Sequence, residues 1–560
     1  QNCGFQQVRI NGLDGPYTQI LIDSRPVFSA LSGVYGLEQI PASMIERVEV
    51  MRGGGSALFG SSAIAGTINI ITKEPLRNSG QLSHTITSLG GSSSFDNNTS
   101  LNASLVTDDH RAGLYIFGQN RHRSGYDYDG DGFTELPKLK NQTVGFRSYL
   151  KTSTYSKLTF EYHHMQEFRR GGDMLNRPPH EAHIAEQLQH SIDGGSLKFD
   201  YFSPDEKNRL SVFASAANTD RDSYYGPGND PLKAYGKTTD LTAMGGAQYV
   251  HTFGKCLFMP SDLTAGLEYN RDRLKDNMWG YDRHTDQTVN IYSAFLQNEW
   301  KNDRWGILIG GRLDKHNMVD NVIFSPRANL RFNPTRNINL RLSYSSGFRA
   351  PQAFDEDMHI ENVGGTVAMI ERAKDLKEEK SQSFSVSADM YHRFGAFQTN
   401  LLIEGFYTRL TDVFVLGEPY DRGDGILVKT RSNGPGAKVM GLTLEGKVAY
   451  LSILQIQAGL TLQRSRYDEP HKWHDDAPAE KKIFRTPDTY GYFTATYTPV
   501  KPLSIALSGT YTGKMLVQRM DITAENAKLG EMPERKAEAI RTPRFFDLGV
   551  KLAYDFKLYK

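Results

Sequence analysis

From about residue 80 to the end of the chain, apolar and polar side chains alternate with a period of two. In Phe546-Asp-Leu-Gly-Val-Lys-Leu-Ala-Tyr-Asp-Phe-Lys-Leu558 every even position is apolar and every odd one is polar or small. Residues 337–344, 441–450 and 503–511 repeat the scheme. Successive side chains of a strand point to opposite faces, so this period predicts strands with one apolar face. Segments of about ten residues suit tilted strands crossing a bilayer. A soluble sandwich hides its apolar face between sheets and rarely needs so many long strands. A β-helix would show a fixed repeat, and none is present. The expected fold is therefore an all-β transmembrane barrel. Its strands are joined alternately by short polar links and by long hydrophilic insertions at 121–140, 164–192, 220–238, 352–382, 416–437, 466–485 and 515–540. By that alternation the insertions all belong on the outer rim.

Residues 1 to about 75 follow another pattern and read as a small mixed domain. Val8-Arg-Ile-Asn and Gln19-Ile-Leu-Ile-Asp predict short strands, and Pro41-Ala-Ser-Met-Ile-Glu-Arg a turn leading into a strand at 48–51. A last strand is expected over 67–72, and Pro75 ends the unit. Gly55-Ser-Ala-Leu-Phe-Gly60-Ser-Ser has the glycine spacing of a phosphate loop, but Ser61 stands where the lysine is needed. Those glycines are expected to serve close backbone contact instead. A small domain followed by a very large sheet suggests a barrel with something inside it.

Composition agrees with a barrel. Hydrophobic residues make up 38% and mean hydropathy is −0.50, with no apolar run near eighteen residues. That excludes a membrane-spanning helix but not spanning strands, whose inward positions are polar. The 28 Tyr and 29 Phe suffice for aromatic girdles at both bilayer interfaces. Lys and Arg number 65 against 64 Asp and Glu, a balance with no basic excess for nucleic acid. Cys3 and Cys256 are too few for a disulfide framework.

The stretch Ile45-Glu-Arg-Val-Glu-Val-Met-Arg-Gly-Gly-Gly-Ser-Ala-Leu-Phe-Gly-Ser-Ser-Ala-Ile-Ala-Gly-Thr-Ile-Asn-Ile-Ile-Thr72 resembles the second half of the plug of TonB-dependent outer-membrane transporters. Gln19-Ile-Leu-Ile-Asp-Ser-Arg-Pro26 matches the strand before it, with Ser24 where glycine is common. Gly347-Phe-Arg-Ala-Pro351 and Asp375-Leu-Lys-Glu-Glu-Lys-Ser381 resemble the family's barrel signature, with Glu378 at the usual proline. The resemblance implies a 22-stranded barrel around a lumenal mixed α/β plug, in the bacterial outer membrane. It divides the chain into the C-terminal half of a plug at 1–77 and the barrel at 78–560. The span after residue 80 has room for about 20 strands at roughly 24 residues each. A strand pair, the front of the plug and its energy-coupling Ton box are therefore expected beyond the two ends.

The resemblance further implies TonB-driven import of a large scarce ligand, with no catalytic residues and no required cofactor. The cobalamin branch is the nearest likeness, haem and ferric siderophores are the alternatives, and an outer-membrane enzyme or adhesin is the remote one. In cobalamin transporters two outward plug segments match residues 2–5 and 28–36. Asn2, Phe5, Phe28, Ser29, Ser32 and Tyr35 are thus candidate ligand contacts, mixing apolar surface with hydrogen-bonding groups as an amphipathic ligand requires. The alternative is that Phe28 and Leu31 are plug core. Glu46, Arg47, Glu49 and Arg52 alternate on one strand and by likeness bridge plug and barrel wall, as static anchors or as a switch. A surface lipoprotein that delivers ligand is a further partner seen in related systems.

Asp127-Tyr-Asp-Gly-Asp-Gly-Phe-Thr-Glu135 has carboxylates at positions 1, 3 and 5 and glycine at 6, the front half of an EF-hand loop. Position 12 is Lys138, so Asp127, Asp129, Asp131 and Glu135 are the candidate calcium ligands, with Glu135 replacing the bidentate residue; a solvated acidic turn is the alternative. Histidines cluster at His163, His164, His180, His183 and His359, but residues 1–75 contain none, which weighs against axial haem ligation from the plug.

Overall fold

The protein is described from a computed structural model covering residues 8–25, 40–55, 60, 63–227, 234–353, 355–358, 368–473, 477–522 and 535–557. Three short strands open it: β1 (Thr18–Ile22), β2 (Ile45–Arg52) and β3 (Gly66–Thr72). They form one sheet in the order β1-β3-β2, with β1 parallel and β2 antiparallel to β3. The β-branched run of β3 is buried because it is the central strand; the edge strand β2 is largely exposed. The helical content of this domain is two 3₁₀ turns, Gly15–Tyr17 and Ala42–Met44, among the described residues. The strand expected at 8–11 reduces to a single bridge between Ile10 and Leu13. Asn11 and Gly12 turn the chain there with positive φ, which a strand does not accommodate.

From Ser79 onward the strands form a closed antiparallel barrel around this sheet. Among the described residues the ring holds 21 strands, one of them the three-residue Glu480–Lys482, whose neighbours also pair directly; about 20 were expected of this span and 22 of the family barrel. Ser79–Ser88 and Phe545–Tyr554 meet at the ring's seam; each is in register with one neighbour, Phe95–Val106 and Leu503–Thr512 respectively, and both are exposed on nearly every residue. Elsewhere burial alternates. On the strand Ala437–Tyr450, Leu442 and Leu444 face outward while Thr443 and Glu445 are buried inward. On Glu379–Phe394, the exposed rings Phe384 and Phe394 bracket an apolar outer face. That ten-residue offset spans about 33 Å of strand and roughly 25 Å of height at a 40° tilt, the thickness of a barrel's apolar band. Paired rings mark both edges: Trp305–Phe332 (4.3 Å) and Phe397–Tyr450 (4.7 Å) near the short turns, Tyr344–Phe384 and Tyr269–Tyr292 (both 4.9 Å) toward the long loops.

All the long connections lie on one rim. Several insertions are, however, mostly strand: Ser156–Gly172 and Ile184–Phe202 consume much of 164–192, and Asn208–Pro227 and Tyr235–Cys256 much of 220–238. A 22-residue strand such as Tyr235–Cys256 spans about 70 Å, far more than a bilayer needs. Above the lipid neither face has to be apolar, so this part of a strand reads like a hydrophilic loop. These extensions build the wall of an outward vestibule.

The inner sheet is fixed to the wall by one apolar cluster. Ile10, Leu13, Ile22, Met44, Ile64 and Ile70 pack with Tyr115, Phe117, Phe406, Leu410 and Val439 of the barrel. The Tyr115 hydroxyl donates to the Ser43 carbonyl at 2.5 Å.

Candidate functional site

The vestibule is closed in part by its own loops. After the strand Ile338–Arg349 the chain dips inward and forms a short helix, α1 (Asp355–Met358). Met358 packs on Leu274 of the strand Met259–Met278 and on Ala353 of its own connection, and Arg283 Nη2 donates to its carbonyl at 2.9 Å. The Arg431–Asp357 ion pair (2.6 Å, both side chains 7% exposed) holds the other end. The strand Ala368–Arg372 then pairs in parallel with Leu427–Asn433, to which Phe414–Leu416 adds antiparallel. This small outer sheet buries Met369 beside Ile426, Tyr224, Tyr225, Met278 and Tyr281 of the far wall. Arg422 ties it down by donating to the Tyr281 carbonyl at 2.8 Å.

Between outer sheet, α1 and wall lies a cavity of about 610 Å³ bordered by Arg283, Pro351, Met358, Ile370 and Arg372. Its charges are mostly paired. Arg283 binds Asp276 at 2.9 Å, and Arg422 binds Asp424 at 2.6 Å. Arg372 differs: it donates to the neutral oxygens Gln287 Oε1 (2.7 Å) and Pro351 O (3.0 Å). Burial pushes its guanidinium pKa below the usual arginine value, with Asp357 opposing. Such a desolvated cation suits an anionic ligand group.

Below the vestibule, ion pairs join the inner sheet to the barrel. Arg52, at the end of β2, binds Glu404 at 3.4 Å and also Glu445. Arg47 and Glu49 pair with each other at 2.8 Å, and Glu49 accepts from Asn69 at 3.3 Å. Glu46 is exposed and makes no ion pair with the barrel among the described residues. A second anchor has no counterpart in the sequence reading. Arg147 of the strand Lys138–Ser153 binds Asp23 (2.6 Å), Glu161 (2.7 Å) and Glu74 (3.3 Å). Asp23 in turn accepts from the Thr72 main chain at 3.0 Å and its hydroxyl at 2.6 Å. Burial alone would raise the Asp23 carboxyl, but Arg147 and these hydrogen bonds hold it below the ordinary range. An arginine in the inward phase of strand Lys138–Ser153 was the available signal. A third contact is polar: the Tyr17 hydroxyl donates to Glu379 Oε1 at 2.7 Å.

Asn2, Phe5, Phe28, Ser29, Ser32, Tyr35, His359 and Cys3 lie outside the described residues. The other histidines are dispersed: His164 faces Asp193 (2.9 Å), His180 the Tyr235 hydroxyl (2.9 Å) and His183 Asp173 (2.6 Å). Asp127, Asp129, Asp131 and Glu135 do converge, offering ligand oxygens within 4.8 Å of one another. Gly130 and Gly132 take positive φ there and their N–H groups donate to Asp127 at 2.7 and 2.9 Å. Lys138 has already entered the next strand, so Glu135 occupies the place beside the three aspartates. Four hard oxygen donors fit calcium's preference, with water completing the shell.

Two family models match: the TonB-dependent receptor plug domain over residues 1–67 and the TonB-dependent receptor-like β-barrel over 72–559. A vitamin B12 transporter of Vibrio vulnificus is 24% identical over 364 residues, covering 62% of this chain and 54% of the relative. An iron-regulated outer membrane virulence protein of Vibrio cholerae is 27% identical over 366 residues, covering 62% and 51%. The alignments thus span about half the length of these relatives. Among solved structures, the siderophore receptor PirA of Acinetobacter baumannii superposes with a TM-score of 0.78 at 16% identity, covering 98% of this chain and 86% of that one. A mutant ferric enterobactin receptor of Pseudomonas aeruginosa gives 0.77 at 17%, covering 99% and 87%.

Proposed function

From the premise that the chain belongs to the TonB-dependent receptors, outer-membrane barrels with a lumenal plug, we propose that it imports cobalamin or a related corrinoid. The observation that carries the choice is the charge balance of the outer cavity. Its arginines are largely neutralised by carboxylates, and Arg372 alone of those named there bonds only to neutral oxygens among the described residues. A corrinoid presents amides, apolar edge and one phosphodiester, which match a mixed wall with one desolvated guanidinium. The likeness to a vitamin B12 transporter supports the same reading.

In this reading ligand enters the vestibule and settles over the plug, with Asn2, Phe5, Phe28, Ser29, Ser32 and Tyr35 as its proposed contacts. No bond is made or broken in the ligand. Arg52 and Arg147 keep the plug seated at rest, because separating partly buried ion pairs is costly. The work of displacing it comes from TonB, acting through a Ton box. Calcium at Asp127, Asp129, Asp131 and Glu135 braces the outer rim.

A ferric siderophore is the second reading, favoured by the fold likeness to siderophore receptors. A multiply anionic ferric catecholate would require more unneutralised cations than Arg372 and Lys374 supply. Calorimetry on the full-length protein in detergent, with cyanocobalamin, ferric enterobactin and haemin side by side, separates the readings. Tight cyanocobalamin binding that Arg372→Ala weakens supports the corrinoid; binding of ferric enterobactin or haemin alone overturns it. Import by cells without binding to the isolated protein would assign delivery to a surface lipoprotein.

A further inference from the structure

We propose that Arg349, Glu379 and Tyr17 form the junction through which occupancy of the outer cavity is transmitted to the plug. The inference rests on the reading of that cavity as the ligand site. Arg349 and Glu379 come from the two halves of the barrel signature, thirty residues apart, and meet as direct cross-strand partners. Both are buried, at 5% and 0% exposure. The Arg349 guanidinium lies between two rings, 5.2 Å from Phe414 of the outer sheet and 5.7 Å from Tyr17 of the plug. The Tyr17 hydroxyl donates to Glu379 at 2.7 Å. One cation therefore touches barrel, outer sheet and plug at once.

The links continue in both directions without a gap. Upward, Phe414 pairs with Asn433, and the strand Leu427–Asn433 pairs with Ala368–Arg372, which carries the cavity residues Ile370 and Arg372. Downward, the Tyr17 carbonyl accepts from the N–H groups of Ile64 (3.1 Å) and Ala65 (2.8 Å). Those residues lead into β3, whose Gly66 is paired with Arg52, the residue that binds Glu404 and Glu445. A shift of the outer sheet moves Phe414 against Arg349. With both charged groups buried, water cannot take up the change, so Tyr17 must follow.

Contact alone does not establish coupling, so the test measures it. In full-length protein carrying Cys3→Ser and Cys256→Ser, Val50→Cys places a thiol on the exposed edge strand β2, and its labelling rate by a maleimide reports plug movement. Cyanocobalamin and ferric enterobactin are the probes. Whichever binds should change the rate by at least about fivefold. With Tyr17→Phe the affinity should stay the same, the rate change should fall below about twofold, and maximal uptake should drop while half-saturation holds. Unaltered affinity with the full rate change would overturn the proposal. A ligand-free arm decides it independently: Phe414→Ala should change the labelling rate with Tyr17 present and not with Tyr17→Phe, whereas additive effects would overturn it. If neither probe binds, the substrate reading fails while this second arm still judges the junction.

Discussion

Arg147→Ala should loosen the plug on one side without unfolding the barrel. The side chain is 12% exposed and faces Asp23 and Glu161, themselves 12% and 19% exposed. Removing it leaves two carboxylates facing each other, with only Arg25, acting on Glu161, to offset them. Breaking a buried pair by deleting one partner costs about 3–5 kcal/mol. The lower end applies here, since the lumen side is not dry. About 3 kcal/mol corresponds to roughly a hundredfold increase in the local opening equilibrium. The assay is native-state hydrogen exchange in detergent, followed at the main-chain amides of β3 and at those of the strand Ala437–Tyr450. Exchange in β3 should accelerate by about that factor while the barrel strand is unchanged. Arg147→Lys, which keeps a point charge but loses the two-pronged geometry, should fall between. Equal rates in wild type and Arg147→Ala would refute the view that this cluster holds the plug.

The same anchor gives a pH dependence. Asp23 has its folded-state pKa depressed, so its contribution is full above the ordinary carboxylate pKa near 4 and is lost as pH falls through the lower folded value. Plug opening, taken as exchange rates divided by the intrinsic amide rate at each pH, should therefore increase below about pH 4, and Asp23→Asn should abolish that increase. Arg52→Ala should speed exchange in β2 by less than Arg147→Ala does, because Arg52 is 31% exposed; calorimetry should show ligand affinity unchanged. Arg372→Ala should weaken cyanocobalamin binding by roughly tenfold or more, the scale of one charge-assisted hydrogen bond, with heat-modifiable gel migration unaltered. Asp129→Ala should remove a calcium-dependent rise in Tm; an equal loss of Tm in chelator would contradict the calcium assignment.

What could be read in the sequence follows from where lipid touches the chain. Phe546, Leu548, Val550 and Leu552 face the bilayer, so their period of two survived in the sequence and the barrel was legible. The strand ends above the bilayer carry no such face, and residues 220–227 of the strand Asn208–Pro227 looked like part of an insertion. Arg52 was legible because charges alternating on a plug strand have few other partners; Arg47 and Glu49, on the same strand, satisfy each other instead. Arg349 and Glu379 were each visible as signature residues. Their pairing was not, since it depends on the intervening loop returning to the strand next door. Tyr17 offered no signal, because a tyrosine after Gly-Pro in a turn has no pattern that points to a carboxylate far along the chain.

Energised uptake tests the central claim most directly. Cells lacking other corrinoid receptors and expressing the full-length protein would be given labelled cyanocobalamin, with and without a protonophore that removes the energy supplied to TonB. The account predicts saturable uptake that the protonophore abolishes while surface binding persists. Uptake that continues undiminished without energy would contradict it, because ligand would then be crossing a barrel whose plug need not be moved.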